Sequence, residues 1–324
     1  MKRTLYRCLA LLLAIVPPTL QAQTVVRDDL GVHRFARVPQ RVVSLSWEST
    51  EQLLQLGITP IGVAEGDGYR TWVVRPALPA ASRSVGSRLE PNLELVAALK
   101  PDLIVIGPTL QSQLPLLSRI APVLLFDAYR SDHDNAAKAK SVYLQLARLF
   151  DREAPARARL HALDRDLARL RTSLHRHWGA GAPPVQVIRF ANSTMAYAYG
   201  GNSMPVQALQ CLGLRPASTA PGLAWGIRST PLLAMDAWSR DIVLYQQPFD
   251  QADKLFPSPL WQAMPFVRDH RFAAMRSTWS YGGLFSIYYL ADAITAAMLT
   301  LPAGTGAAEP FTRPSARDCV LAAD

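Results

Sequence analysis

The chain reads as an α/β protein of two α/β lobes, each built on a central, mostly parallel sheet, joined by one long rigid helix. Three observations predict this. Short β-branched runs alternate with helical patterns from Arg41 to Phe126, and strands alternating with helices through short links make a parallel sheet covered on both faces. A second series of the same kind runs from Val185 to Leu299. Between them, Leu160, Leu163, Leu167, Leu170 and Leu174 recur at spacings of three and four, the period of one helical face. A helix of about 25 residues is roughly 37 Å long, too long for one small sheet, and is read as a brace between lobes.

The 324 residues suit two domains, and 49% hydrophobic against 18% charged residues argues against disorder. Lys2, Arg3 and Arg7 precede an apolar run from Leu9 to Val16, and Leu20-Gln21-Ala22 ends on a small residue. That is the pattern of a cleavable secretory signal, too short for a membrane span. Cys8 lies before the apolar run, so no lipid anchor is expected. The predicted division is a leader at 1–22, an N-terminal lobe at 23–151, the linking helix at 152–178, a C-terminal lobe at 179–301 and a tail at 302–324, in a soluble exported protein. With 34 basic and 25 acidic residues the net charge is +9, and loss of Lys2, Arg3 and Arg7 with the leader leaves +6. The basic residues form no long run and no aromatic-basic stripe, which disfavours nucleic acid and suits an anionic ligand or membrane partner. Cys211 and Cys319, the thiols left after cleavage, could pair in an oxidising compartment.

In order, Arg41–Leu45 is predicted as a strand, the stretch from Trp47 to Leu56 as a helix stopped by Gly57, and Ile58–Ala64 as the next strand. A loop from Gly66 to Ser84, without any period, carries Tyr69 and Trp72 to the sheet rim. A helix from Leu89 to Lys100, a strand at Leu103–Ile106, a helix from Gln111 to Ile120 and a strand at Val123–Phe126 follow. Helices over 134–150 and 152–177 lead to the second lobe. There the prediction is strands at Val185–Phe190 and Met195–Tyr199, a helix from Met204 to Leu212, and a loop from Ala220 to Arg228 with Trp225. A helix near Thr230–Ala237, a strand at Asp241–Tyr245, a short helix at Leu260–Met264, a strand at Arg271–Arg276 and a closing helix from Leu284 to Leu299 complete it. Trp279 and Tyr281 lie in the last loop.

The stretch VGSRLEPNLELVAALKPDLIVI, Val85 to Ile106, concentrates the chemistry. It reads as strand end, turn, helix and strand, with Pro91 in the first helical turn and Lys100-Pro101 as the stop. Arg88 and Glu90 then stand in a loop at the rim of a parallel sheet, where ligands bind, and Glu94 stands early in the helix. Catalytic and metal motifs are missing: no G-x-S-x-G, H-E-x-x-H, P-loop or paired C-x-x-C occurs. His175 and His177 sit two apart on a helix and point different ways. His133 between Asp132 and Asp134 lacks the glycine and terminal glutamate of a calcium loop. No metal site and no enzyme is expected.

Four segments carry a family resemblance: PQRVVSLSWESTEQLLQLGITPIGVAEGDGYRTWV, GSRLEPNLELVAALKPDLIVI, YGGNSMPVQALQCLGL and PLWQAMPFVRDHRF. Over about residues 38–300 the chain resembles the periplasmic ferric-hydroxamate (ferrichrome-type) binding proteins of siderophore ABC importers, within a family of two lobes on a single helix. The resemblance implies a monomer that binds a ferric siderophore as ligand, without a cofactor, and delivers it to an inner-membrane ABC permease dimer. It implies ligand contacts at Arg88, Trp72, Trp225 and Trp279. A chelator that wraps iron in six oxygens leaves the protein to supply N–H donors and apolar planes, not metal ligands. The family's cleft tyrosine falls on Leu110 here, so Tyr69 or Tyr281 would replace its hydroxyl, or the ligand differs. The family docks through one surface carboxylate per lobe. Glu94 matches the first, and the second falls near Leu232 or Leu233, with Asp236 one turn away. The alternatives are another chelate (catecholate siderophore, ferric citrate, haem or cobalamin) or a secreted hydrolase. A catecholate complex would call on Arg70, Arg75 or Arg228 beside Arg88.

Overall fold

The computed structural model describes residues 23–220, 223–304, 308–314 and 319. The expected leader at 1–22 lies outside them. In the N-terminal lobe the fully buried strand Val42–Ser44 is central. Gly62–Val63 and then Arg83–Ser84 pair on one side of it, Leu103–Ile106 and then Val123–Leu125 on the other, all parallel. In the C-terminal lobe Val185–Asn192 is central. Ile242–Gln246 and Phe272–Met275 continue it in parallel, while Met195–Tyr199 and Ile227–Pro231 are antiparallel on its other side.

The linking helix runs over Glu153–Trp178, 26 residues, and buries Leu160, Leu163, Leu167 and Leu174. It packs against Asn135–Leu149 from the first lobe and Ser286–Met298 from the second. One apolar core joins a face of each sheet through these helices, from Val42, Leu103 and Val105 to Val187, Leu244 and Met275. The opposite faces carry separate cores, around Ile104 and Leu117 in the first lobe and around Phe190 and Trp261 in the second.

The seam between lobes is polar and closely fitted. Glu51, on the helix Trp47–Gln55, accepts through Oε2 from Gly283 N at 3.0 Å and from Ser286 Oγ at 2.6 Å. Tyr129 donates to the Gly282 carbonyl at 2.5 Å, Gln55 to the Tyr289 hydroxyl at 2.6 Å, and Arg75 pairs with Asp292 at 3.2 Å. Glycine is required at 283 because a Cβ there would lie 2.4 Å from Gln52 Cγ and 3.1 Å from the Glu48 carbonyl.

Several elements differ from the expectation for local reasons. The helix expected from Leu89 begins at Leu93, because the Asn92 side chain caps it by accepting from Leu95 N and Pro91 is drawn into a bridge with Gly86. Lys100, at φ 47°, ends it before Pro101. The helix expected from Gln111 is a 3-10 turn over Pro108–Gln113 followed by one helical turn, Leu114–Leu117. The helix expected near Thr230 is the end of the Ile227–Pro231 strand and then a 3-10 helix over Leu232–Trp238. The aperiodic loop contains a π-helical turn at Tyr69–Val73 and the strand Arg83–Ser84. A hairpin of Thr24–Arg27 and Val32–Phe35, absent from the expectation, packs on the helix Asn135–Leu149.

The described part of the tail is strapped to the second lobe. Glu309–Pro310 pairs with Gly181–Ala182, and Thr312 N donates to the Gly213 carbonyl at 3.0 Å. Gly213 has φ 74°, and a Cβ there would meet Thr312 O at 2.3 Å, so only glycine suits the crossing. Cys211 and Cys319 form a disulfide, with Cα atoms 4.6 Å apart.

Candidate functional site

A cleft with about 640 Å³ of free space opens between the lobes. The first lobe lines it with Trp47, Glu65, Trp72 and Arg88; the second supplies Arg189, Tyr199, Gln246, Trp279 and Tyr281. These positions follow from the folding pattern. Trp47 opens the helix after the first strand, where the Ser46 hydroxyl caps by accepting from Ser49 N. Glu65 follows the strand Gly62–Val63 at φ 52°, a left-handed turn that a glutamate seldom adopts. Arg88 follows the strand Arg83–Ser84. All three therefore stand past the carboxyl ends of parallel strands.

Arg88 is the polar centre of the first wall. Its Nε donates to Glu65 Oε2 at 2.7 Å, and its guanidinium lies 3.6 Å from the Trp47 ring and 5.8 Å from that of Trp279. Stacking on Trp47 and the bond to Glu65 fix the fork against the cleft wall. Trp47, 2% exposed, is anchored by its indole N–H on the Ala64 carbonyl and meets Trp279 edge-on at 4.9 Å.

The second wall is aromatic. Tyr281 contacts Trp279 and Trp225, each at 5.3 Å. Trp225 stacks on Tyr129 of the first lobe at 5.0 Å and 17°, and so bridges the two lips while remaining 41% exposed. Behind Tyr281, Tyr199 donates to Gln246 Oε1 at 3.2 Å. Burial raises the carboxyl of Glu48, next to Trp47 in sequence, although hydrogen bonding and the Arg88 charge oppose the shift. Burial raises Asp127 as well.

Arg88, Trp72, Trp279 and Tyr281 thus converge on one cleft, and Trp225 flanks it. Two expected residues do not reach it. Tyr69 is fully buried in a slot with Trp47, Val63 and Val73, because the π-helical turn that presents Trp72 outward turns Tyr69 inward; it supplies no ligand hydroxyl. Leu110 is buried in the outer core of the first lobe and lines no part of the cleft. Of the extra cations considered, Arg70 pairs with Asp67 and Arg75 with Asp292, while Arg228 lines a separate depression with Trp238. Glu94 and Asp236 are exposed, as is Leu233. Glu90 is exposed in the turn before the helix.

Trp47, Glu65, Arg189 and Tyr199 were not among the expected site residues. Trp47 and Glu65 carried the strand-end signal that singled out Arg88. Arg189 is the one charge inside the apolar strand VQVIRF. Among the described residues no group of three or more His, Cys, Asp or Glu is placed to hold a metal ion, and no helix is long and apolar enough to cross a membrane.

Known proteins share this architecture. The iron(3+)-hydroxamate-binding protein FhuD of Escherichia coli is 32% identical over 256 residues, 78% of this chain and 85% of that protein. The Fe(3+) dicitrate-binding periplasmic protein FecB of E. coli is 25% identical over 264 residues, 79% of this chain and 83% of that one. The crystal structure of the siderophore-binding protein FhuD from Vibrio cholerae, bound to Fe3+-Desferal, superposes with a TM-score of 0.79 at 41% identity, covering 81% of this chain and 99% of that one. Residues 42–278 match the family model described as periplasmic binding protein, and the chain belongs to the periplasmic binding protein family.

Proposed function

We propose that the chain is the substrate-binding component of an iron importer: it captures a ferric siderophore of the hydroxamate type between its lobes and hands it to an ABC permease. The observation that carries this reading is the Arg88 fork, stacked on Trp47 and opposed across the cleft by Trp279 and Tyr281. A ferric hydroxamate is an iron already enclosed by oxygen, inside an organic coat. Guanidinium N–H groups suit the partly negative oxygens, and indole and phenol faces suit the coat. The relatives' own ligands support the same class.

Quenching of tryptophan fluorescence by a panel of ferric hydroxamates, catecholates, citrate and haem tests this. The hydroxamates should bind most tightly, and Arg88→Ala should weaken them by about 1.5–3 kcal/mol, the scale of a hydrogen bond to a charged group. An Arg88→Ala protein that binds like the parent would remove the cleft from consideration.

Export to the periplasm is supported by the leader expected at 1–22 and by a relative that is itself periplasmic. Docking on the permease would use exposed Glu94 on the first lobe and exposed Asp236 on the second, where such pairs set orientation more than affinity. The shared core and the Glu51, Tyr129 and Arg75 contacts restrict the lobes to a small rotation. Scattering profiles of free and loaded protein should therefore superpose, and a clear drop in radius of gyration on loading would contradict a braced frame.

A further inference from the structure

The cleft holds a second guanidinium whose charge is answered differently from that of Arg88. Arg189 stands in the strand Val185–Asn192, directly opposite Tyr197 in the antiparallel register, with its guanidinium 4.9 Å from the Tyr197 ring. Its other neighbours are the phenolic oxygens of Tyr199 and Tyr281. Arg88 already has the Glu65 carboxylate; Arg189 pairs with no carboxylate among the described residues. A half-buried cation held by neutral partners has lost part of its hydration without gaining a counter-charge. A ferric tris-hydroxamate is neutral overall and cannot supply one. Arg70 and Arg75 are engaged elsewhere and Arg228 lies outside the cleft, so Arg189 is the residue through which an anionic ligand would be read.

We propose, on the basis of the hydroxamate reading above, that the natural ligand is a ferric hydroxamate bearing a free carboxylate, and that Arg189 binds this carboxylate while Arg88 binds the hydroxamate oxygens. Recognition is then divided between the lobes. The first lobe reads the iron-bound oxygens, and the second reads a charge on the chelator's arm. Tyr199 and Tyr281 hold the Arg189 fork toward the cleft and limit its freedom, so that pairing with a carboxylate orders little else.

The test uses two ferric complexes of one linear tris-hydroxamate, desferrioxamine B, with its amine capped by an acetyl group (neutral) or by a succinyl group (one added carboxylate). The mature protein should bind the succinyl complex about tenfold more tightly at low salt, and added NaCl should narrow that gap. Arg189→Gln should close the gap by weakening the succinyl complex alone, and Arg189→Lys should keep part of it. The wild-type comparison needs no variant, so a poorly folding substitution does not decide the matter. Equal binding of the two complexes by wild type overturns this inference and leaves the hydroxamate reading standing. Equal weakening of both by Arg189→Gln also overturns it, because Arg189 is then wall structure. If wild type binds neither complex, the hydroxamate reading falls and takes this inference with it.

Discussion

Removal of the Cys211–Cys319 disulfide is expected to lower the unfolding free energy by about 4 kcal/mol, because the loop it closes spans 108 residues and long closed loops restrict the unfolded chain most. The folded-state contacts point the same way. Both sulfur-bearing residues are buried, and the bond ties down the segment that pairs with Gly181–Ala182 and crosses Gly213. A Cys211→Ala/Cys319→Ala protein should unfold at a markedly lower denaturant concentration with its ligand affinity unchanged. Thiol titration of the oxidised, unfolded wild type should find no free cysteine in the mature chain. An unchanged denaturation midpoint would mean that the strap holds without its covalent link.

The second large effect lies at the seam. Glu51 is fully buried, one carboxylate oxygen accepts from Gly283 and Ser286, and the other has no hydrogen-bond partner among the described residues. Burial pushes its carboxyl up to about 7; the bonds from Ser286 and Gly283 pull it back in part, and nearby Glu48 adds to the rise. Tyr69, Tyr129 and Tyr289 also face it. An acid whose pKa is higher folded than unfolded holds its proton more firmly in the native state. The stabilisation is present in full below the unfolded value and is lost as pH rises through about 7, a change of about 3 kcal/mol at most. The protein should therefore be more stable at pH 5.5 than at pH 8. Glu51→Gln keeps an oxygen for both donors and carries no charge, so it should flatten most of this slope and exceed wild type in stability at pH 8. Half-buried Glu48 contributes a residual slope of the same sign. Denaturant melts at the two pH values decide it: a variant with the full wild-type slope would assign the effect elsewhere.

What could be read from the amino-acid order alone divides along physical lines. Periodicity exposed the alternating elements and the brace, since apolar spacing reports which side of an element is covered. Arg88 was legible because a charged residue between a strand end and a helix has one place to go. Trp47 was not, because an aromatic residue opening a helix looks the same whether it packs inward or forms the floor of a cleft. Tyr69 and Trp72 lie three apart in one loop, and only the π-helical turn decides that the first faces in and the second out. Arg189 stood out as a charge within an apolar strand, but its value depends on Tyr199 and Tyr281, which pairing across the sheet and a distant loop bring beside it. Caps and prolines set the remaining boundaries, as at Asn92 and at Pro231.

The apolar core that runs unbroken from Val42 to Met275 through the linking helix bears on how such a protein can be made into a sensor. With the small lobe rotation proposed above, dyes placed one on each lobe would report almost nothing. On the proposed binding mode, a single environment-sensitive dye beside Trp72, which lines the cleft, would give the usable signal.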